Sequence, residues 1–457
     1  MRSYERAASS DEIRVDGVAR STSSQEEVEA ALREMCINEE GKENEYEQDE
    51  GTNSGEGSPA GSDPKKSRGR MGLGMVAGGL KGIWNSAKNK LGKGGQPKED
   101  YAKLIEKVAA CRHPLAAPTG GLINEDHESI RVSRSVVAEV VKQIGKKLLG
   151  GQNLMSVTFP VRCCQPRTIL ECAAYQFCFA PYYLGRAAKA TDPVERLKNV
   201  TACFVACIHT TSQFTKPFNP TLGETFQASF PDGTKLYLEQ TSHHPPVTSW
   251  QLCGPNGSFH YYGWSTYTAS FGYNRLYVKQ SGARVCEFPD GTKITAGFSM
   301  DRYNNVYWGD VIQEVLGEYV FRDLKNDLAC SLFLNTTKHL PSDVFIGSID
   351  KVNKDGEPIE QVCDADGSFL GFLDFDNKRY WEYKHKDCRT EHVLDPLPLP
   401  SDSRFRKDRN ALESGDVDAA QVHKVEIEER QRRERRLRVA AKKAKESGSE
   451  WSPADVK

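Results

Sequence analysis

The chain has 457 residues, enough for two or three average domains or for one large β domain with tails. Its 61 Lys plus Arg stand against 63 Asp plus Glu, so no global field selects nucleic acid or an anionic membrane, and local charge must carry any such function. No apolar run reaches the roughly 18 residues of a membrane-spanning helix. The opening Met1-Arg2-Ser3-Tyr4-Glu5 lacks the apolar core of a secretory signal. Thirteen cysteines raise the question of disulfides or a metal. The number is odd, and Cys163-Cys164 and Cys203/Cys207 do not repeat a CxxC framework, so zinc is not expected. Cys172, Cys178, Cys203 and Cys330 lie in apolar runs, where a free thiol behaves as a small hydrophobe. The expectation is reduced thiols in the cytoplasm, with no cofactor.

Residues 1–63 are poor in aromatics and rich in Ser, Gly, Glu and Asp. The acidic run from Glu39 to Glu50 buries too little apolar surface to offset its ordering entropy, so a disordered tail is expected. Ser24 to Met35 carries only a short helical pattern (Val28, Ala31, Leu32, Met35). Residues 64–99 differ. Lys65, Lys66, Arg68 and Arg70 precede a glycine-rich stretch in which Leu73, Val76, Leu80, Ile83 and Trp84 recur at three- and four-residue steps. Five glycines from Gly72 to Gly82 each cost about 1 kcal/mol of helix propensity relative to alanine, so this helix needs a surface to fold on. The surface is either a membrane, which suits a basic amphipathic segment with an edge Trp, or the protein's own core, which the segment would cover as a lid.

From residue 100 the composition is globular. Tyr101–Ala110 and Ser133–Leu149 read as helices. Beyond Ser156 the chain reads as β-rich. The strand-like runs are Gln227–Phe230, Lys235–Glu239, Phe259–Trp264, Arg275–Val278, Val285–Phe288, Lys293–Phe298 and Val306–Trp308. Pro231-Asp232-Gly233-Thr234, Pro255-Asn256-Gly257 and Pro289-Asp290-Gly291-Thr292 are turn chemistry between them. This pattern predicts an antiparallel meander or barrel. Ser414 to Lys445 is a charged helix opening near Asp418.

Three segments hold residues suited to binding. Glu239-Gln240-Thr241-Ser242-His243-His244-Pro245-Pro246 presses two histidines against two prolines, which fix φ and exclude a helix. The pair sits in stiff, extended or turning backbone after Leu236-Tyr237-Leu238. By residue type it suits an anion, a structural turn, or, with less support, a metal or a catalytic base. Adjacent side chains in extended backbone point apart, and no further His/Cys cluster completes a metal shell. No nucleophile motif accompanies a base, which weighs against a hydrolase. Lys216-Pro217-Phe218-Asn219-Pro220-Thr221-Leu222-Gly223-Glu224 holds a cation and an amide in a rigid loop, or else is a tight turn with a solvated lysine. Lys424, Glu428 and Arg432 share one helix face, either as solvated salt bridges worth about 0.2–0.5 kcal/mol per pair or as a clamp in which Glu428 spaces two cations.

These three segments together resemble the oxysterol-binding protein family of lipid-transfer proteins. The octapeptide at 239–246 resembles the family signature in unbroken order, and the run from Lys216 to Glu224 resembles its KPxNPxLGE stretch. The helix matches a K-x-x-x-E-x-x-x-R set, and Leu399–Arg404 with Leu412–Asp416 match in spacing. Gln213 stands where the family commonly has an arginine. The resemblance spans most of residues 100 to 445. It implies a mainly β (α+β) fold, a large incomplete antiparallel β-barrel around a lipid tunnel, with N-terminal helices or lid and a C-terminal helical segment. It implies further that Lys216, Asn219, His243, His244, Lys424, Glu428 and Arg432 surround the headgroup of phosphatidylinositol 4-phosphate. Ser156–Val161 would lie near the lipid's glycerol. A sterol or phosphatidylserine would be the second ligand. The expected protein is a monomeric, non-enzymatic, peripherally membrane-associated exchanger of the short type, consisting of the lipid-binding domain over 100–457 and its tails. A lipid-dependent sensor or scaffold would carry the same pocket without net transport.

Overall fold

The protein is described here by a computed structural model covering residues 98–144, 159–210, 214–243, 245–335, 339–448 and 452–453. The acidic tail, the segment with Leu73, Val76, Leu80, Ile83 and Trp84, Ser156–Thr158, Gln213 and His244 lie outside the described residues.

The expected corners are turns. At Pro231–Thr234 the Asp232 carboxylate accepts the Thr234 amide at 2.9 Å and Gly233 takes φ 94°, a conformation that favours glycine. Pro289–Thr292 repeats the device, with Asp290 accepting the Thr292 amide at 3.0 Å. The first corner joins β4 (Thr225–Ser229) to β5 (Lys235–His243), where Leu236, Leu238 and Gln240 alternate inward. Next come β6 (Pro246–Cys253), β7 (His260–Gly272) and β8 (Arg275–Glu287). Arg275–Val278 and Val285–Phe288 were expected as separate strands, but they belong to this one strand, paired along its whole length with β7. Gly282 permits that pairing, since a Cβ there would lie 2.0 Å from the Trp264 carbonyl oxygen. Val306–Trp308 is a bend rather than a strand, because the Asn274 side chain accepts the Tyr307 amide at 2.8 Å and donates to the Trp308 carbonyl at 3.2 Å.

The sheet continues through β9 (Lys293–Ala296), β10 (Met300–Asn304), β11 (Ile312–Asp323), β12 (Leu328–Leu334), β13 (Val344–Val352), β14 (Pro358–Ser368), β15 (Phe372–Phe375) and β16 (Lys378–Glu382). With β1 (Leu122–Ile123) and β17 (Val393–Leu394) it forms one 15-stranded antiparallel sheet. Its order runs from β16 through β11, β10, β8, β7 and β4 to β17, and the two end strands do not pair, which makes the barrel incomplete. β2 (Cys164–Thr168) and β3 (Lys216–Phe218) form a separate parallel pair.

Seven helices accompany the sheet among the described residues. α1 (Lys98–Cys111) and α2 (His127–Ile144) are the two expected near the start, α2 opening with the Asp126 carboxylate accepting the Ser129 amide at 2.9 Å. The region after Ser156 is not uniformly β. α3 (Ile169–Gln176), α4 (Ala180–Lys189) and α5 (Pro193–Ile208) intervene. α3 opens with a reciprocal capping box between Thr168 and Glu171, and α5 with Asp192 ahead of Pro193. α5 packs across β11, β12, β15 and β16, so Leu197, Val200, Val205 and Ile208 share one core with Phe226, Leu236 and Leu252 of the sheet. Each such side chain contributes about 1.5–3 kcal/mol by leaving water. α6 (Lys407–Glu413) and α7 (Val417–Ser447) end the fold, and no described helix is long and apolar enough to cross a membrane.

Candidate functional site

The histidine octapeptide forms the tip of the β5–β6 hairpin. β4 begins only at Thr225, opposite Glu239, so β5 beyond Gln240 pairs only with β6, down to Ser242↔Val247 and His243↔Pro246. Pro246 is therefore tolerated at the first position of β6. The tip is braced from inside. Buried Gln240 donates to the Ser242 carbonyl at 2.9 Å and accepts from the Thr248 hydroxyl at 2.8 Å.

The loop of Lys216 and Asn219 is held by residues from far along the chain. Phe218 is buried, and Gly223 takes φ 77°. Arg406 donates to the Asn219 carbonyl at 2.9 Å and to the Glu224 carboxylate at 3.0 Å, while its other nitrogens grip Asp408 at 2.7 and 3.0 Å. Glu224 also accepts the Thr221 amide at 2.9 Å. Burial pushes the Glu224 carboxyl up, with Arg406 and Thr221 opposing. Burial likewise opposes the Arg406 charge, but Asp408 and Glu224 outweigh it and raise its pKa.

α7 is seated by its first turns. Asp416 caps it by accepting the Ala419 amide at 2.9 Å. Ala420 packs without exposure against Val161 and Phe218, and Gln421 accepts the Val161 amide at 2.9 Å. That seating aims the next turns at the hairpin tip. Glu428 accepts from both Lys424 and Arg432, the latter at 3.3 Å, and Gln431 Nε2 lies 3.3 Å from Nδ1 of His243.

These elements enclose one pocket of about 490 Å³, lined by Lys216, Asn219, His243, Lys424, Glu428 and Arg432. Six of the seven residues named for the site thus converge, and the seventh, His244, is outside the described residues. Arg406, Arg435 and Arg438 also line it and were not singled out from the sequence. The wall carries a large excess of cations over Glu428 and Glu434, and the Asn219 side-chain oxygen is buried without a partner. Guanidinium groups bind phosphate with parallel donors, so the pocket suits a polyanion. Among the described residues no cluster of three or more His, Cys, Asp and Glu is placed to hold a metal.

A second cavity of about 400 Å³ lies inside the barrel, walled by Phe177, Phe204, Trp250, Tyr261 and Tyr303. Phe159 and Lys216 line both cavities, the Lys216 ammonium lying 5.9 Å from the Phe159 ring centre. Polar groups also face the inner chamber. Asp301 accepts from Gln313 at 2.8 Å, and its pKa is pushed up to about 7 by burial, with Gln313 opposing. The Arg284 guanidinium sits 4.0 Å from the Phe298 ring centre and 5.1 Å from that of Phe204.

An open barrel whose apolar chamber adjoins a cationic pocket is shaped for a molecule with an apolar body and an anionic end. The chain belongs to the oxysterol-binding protein family, whose model matches residues 140–454. It is 32% identical over 337 residues to oxysterol-binding protein 9 of Dictyostelium discoideum, covering 69% of this chain and 79% of that protein. Oxysterol-binding protein-related protein 3B of Arabidopsis thaliana is 27% identical over 418 residues, covering 86% and 87%. Two solved structures share the fold. The Osh3 ORD of Saccharomyces cerevisiae in complex with PI(4)P has a TM-score of 0.54 at 23% identity, over 65% of this chain and 83% of that one. The Osh1 ORD in complex with cholesterol has 0.56 at 21%, over 79% and 91%.

Proposed function

We propose that the protein is a cytoplasmic lipid-transfer protein that binds phosphatidylinositol 4-phosphate and exchanges it between membranes for a second lipid, a sterol or phosphatidylserine. One observation carries this: Lys216, His243 and the Lys424–Glu428–Arg432 row, distant in sequence, line one pocket that shares Phe159 and Lys216 with an apolar chamber. The ligands named for the Osh3 and Osh1 ORD complexes, PI(4)P and cholesterol, accord with those two compartments. In this mechanism the headgroup phosphates take charge-assisted bonds from Lys216, Lys424 and Arg432, with Glu428 holding the last two apart. Asn219 adds an amide, and His243 and His244 add donors whose charge follows pH. The acyl chains pass Phe159 toward the chamber. Because a second lipid occupies the same chamber, each ligand excludes the other, and a gradient of the phosphoinositide drives the other lipid uphill. Residues 64–99 serve this cycle as lid or membrane contact, and the carrier works as a peripherally bound monomer.

The test is extraction of phosphatidylinositol 4-phosphate from liposomes by the wild type and by His243→Ala/His244→Ala. Loss of extraction is expected, and equal extraction overturns the headgroup assignment. Transfer between two vesicle populations is expected as well. Binding without transfer would make the protein a sensor rather than an exchanger.

A further inference from the structure

Two adjacent thiols stand at the boundary between the cavities. Cys163 lines the apolar chamber, whereas Cys164 lines the cationic pocket. Cys163 ends the helical turn Val161–Cys163, and Cys164 opens β2, where its register partner is Lys216 on β3. Both sulfurs face the Pro160 carbonyl, at 3.0 and 3.9 Å. Lys216 and Lys424 therefore flank a thiol that opens into a pocket built for anions. Hydrogen bonding from Cys163 lowers the Cys164 pKa, and the two ammonium groups help, against burial and Asp408. Other thiols differ: burial pushes Cys172 up to about 12, and raises Cys178, Cys286 and Cys330 as well.

We propose that Cys164 is a modification site within the headgroup pocket, open to small carboxylate-bearing disulfides, and that its modification and a phosphorylated headgroup exclude one another. The inference rests on the pocket being an anion site. In the step, the Cys164 thiolate attacks one sulfur of a disulfide R–S–S–R. A bond forms between the two sulfurs, the original S–S bond breaks, and R–S⁻ leaves with the electron pair. Cys164 is oxidised to the mixed disulfide while the departing half of the reagent is reduced. A free thiol reverses the exchange.

The test treats the full reduced chain with 5,5′-dithiobis(2-nitrobenzoate) and maps modified cysteines by peptide mass spectrometry. Among the cysteines from Cys111 to Cys388, Cys164 is expected to label first. Phosphatidylcholine vesicles carrying phosphatidylinositol 4-phosphate should slow its labelling on the order of ten-fold, and plain phosphatidylcholine vesicles should not. The labelled protein should extract on the order of ten-fold less phosphoinositide than the reduced protein, with recovery after dithiothreitol. In Cys164→Ser the extraction ratio before and after the reagent should be near one. The proposal is overturned if Cys164 stays unlabelled, if labelling leaves extraction unchanged, or if Cys164→Ser loses extraction equally on treatment. Failure of the reduced wild type to extract the lipid would instead overturn the lipid assignment. Protection of Cys164 by inorganic phosphate would then still report on the thiol.

Discussion

Arg406 connects stability to binding, and Arg406→Met separates the two by measurement. The guanidinium is 9% exposed and serves two buried carboxylates, Glu224 at 3.0 Å and Asp408 at 2.7 Å, besides the Asn219 carbonyl at 2.9 Å. Methionine keeps the volume but strands both carboxylates. Removing one partner of a single buried pair costs about 3–5 kcal/mol, and here one cation serves two anions, so the upper end, about 5 kcal/mol, is expected near neutral pH. The cost must depend on pH. Burial already raises the Glu224 carboxyl, and without Arg406 to oppose it the folded-state pKa climbs further above the unfolded value of about 4, so the loss of stability grows as pH climbs from there. Urea denaturation of lipid-free protein near pH 8 and near pH 5 reads this directly, as a larger loss at the higher pH. Glu224→Gln/Arg406→Met should cost less than the sum of its single changes. Phosphoinositide extraction should fall in Arg406→Met even where the protein is fully folded, because the Lys216–Asn219 loop loses its brace. A cost below about 1 kcal/mol, or one independent of pH, refutes the reasoning.

Asp301, with a folded-state pKa pushed up to about 7, keeps its proton while the unfolded chain has lost it. Asp301 should therefore make lipid-free stability drop as pH rises from about 4 to 7, and Asp301→Asn should flatten that slope, gaining on the wild type at the alkaline end only. Thermal denaturation across that window checks it, and a slope unchanged in the variant refutes it. Deleting residues 71–91 should reduce flotation with liposomes. Undiminished flotation would exclude membrane contact and leave the lid or linker role.

Two of the candidate motifs were legible because each is a contiguous run that carries its own prolines, and the third because Lys424, Glu428 and Arg432 recur on one helix face. Their convergence was not written locally: Gln431 meets His243 across 188 residues, and Arg406 reaches Glu224 across 182. α5 escaped detection because it sits inside the protein. α5 is buried from Arg196 to Leu197 and from Asn199 through Ala206, so it lacks the polar face that makes a 3.6-residue period visible. The middle of β8, Lys279 to Arg284, broke the strand pattern for a related reason. Gln280 and Arg284 face the polar lining of the chamber, so inward no longer means apolar.

The order in which the site's walls are synthesised has a consequence for the cell. His243 leaves the ribosome 188 residues before Gln431, a lag of roughly 10–40 s at ordinary elongation rates. Throughout that lag the nascent chain carries the Lys216 loop and the histidine hairpin without the helix that supplies Lys424 and Arg432. The cationic pocket is thus incomplete until α7 has been made, and on the proposed reading a chain stalled before Lys424 should extract phosphoinositide poorly.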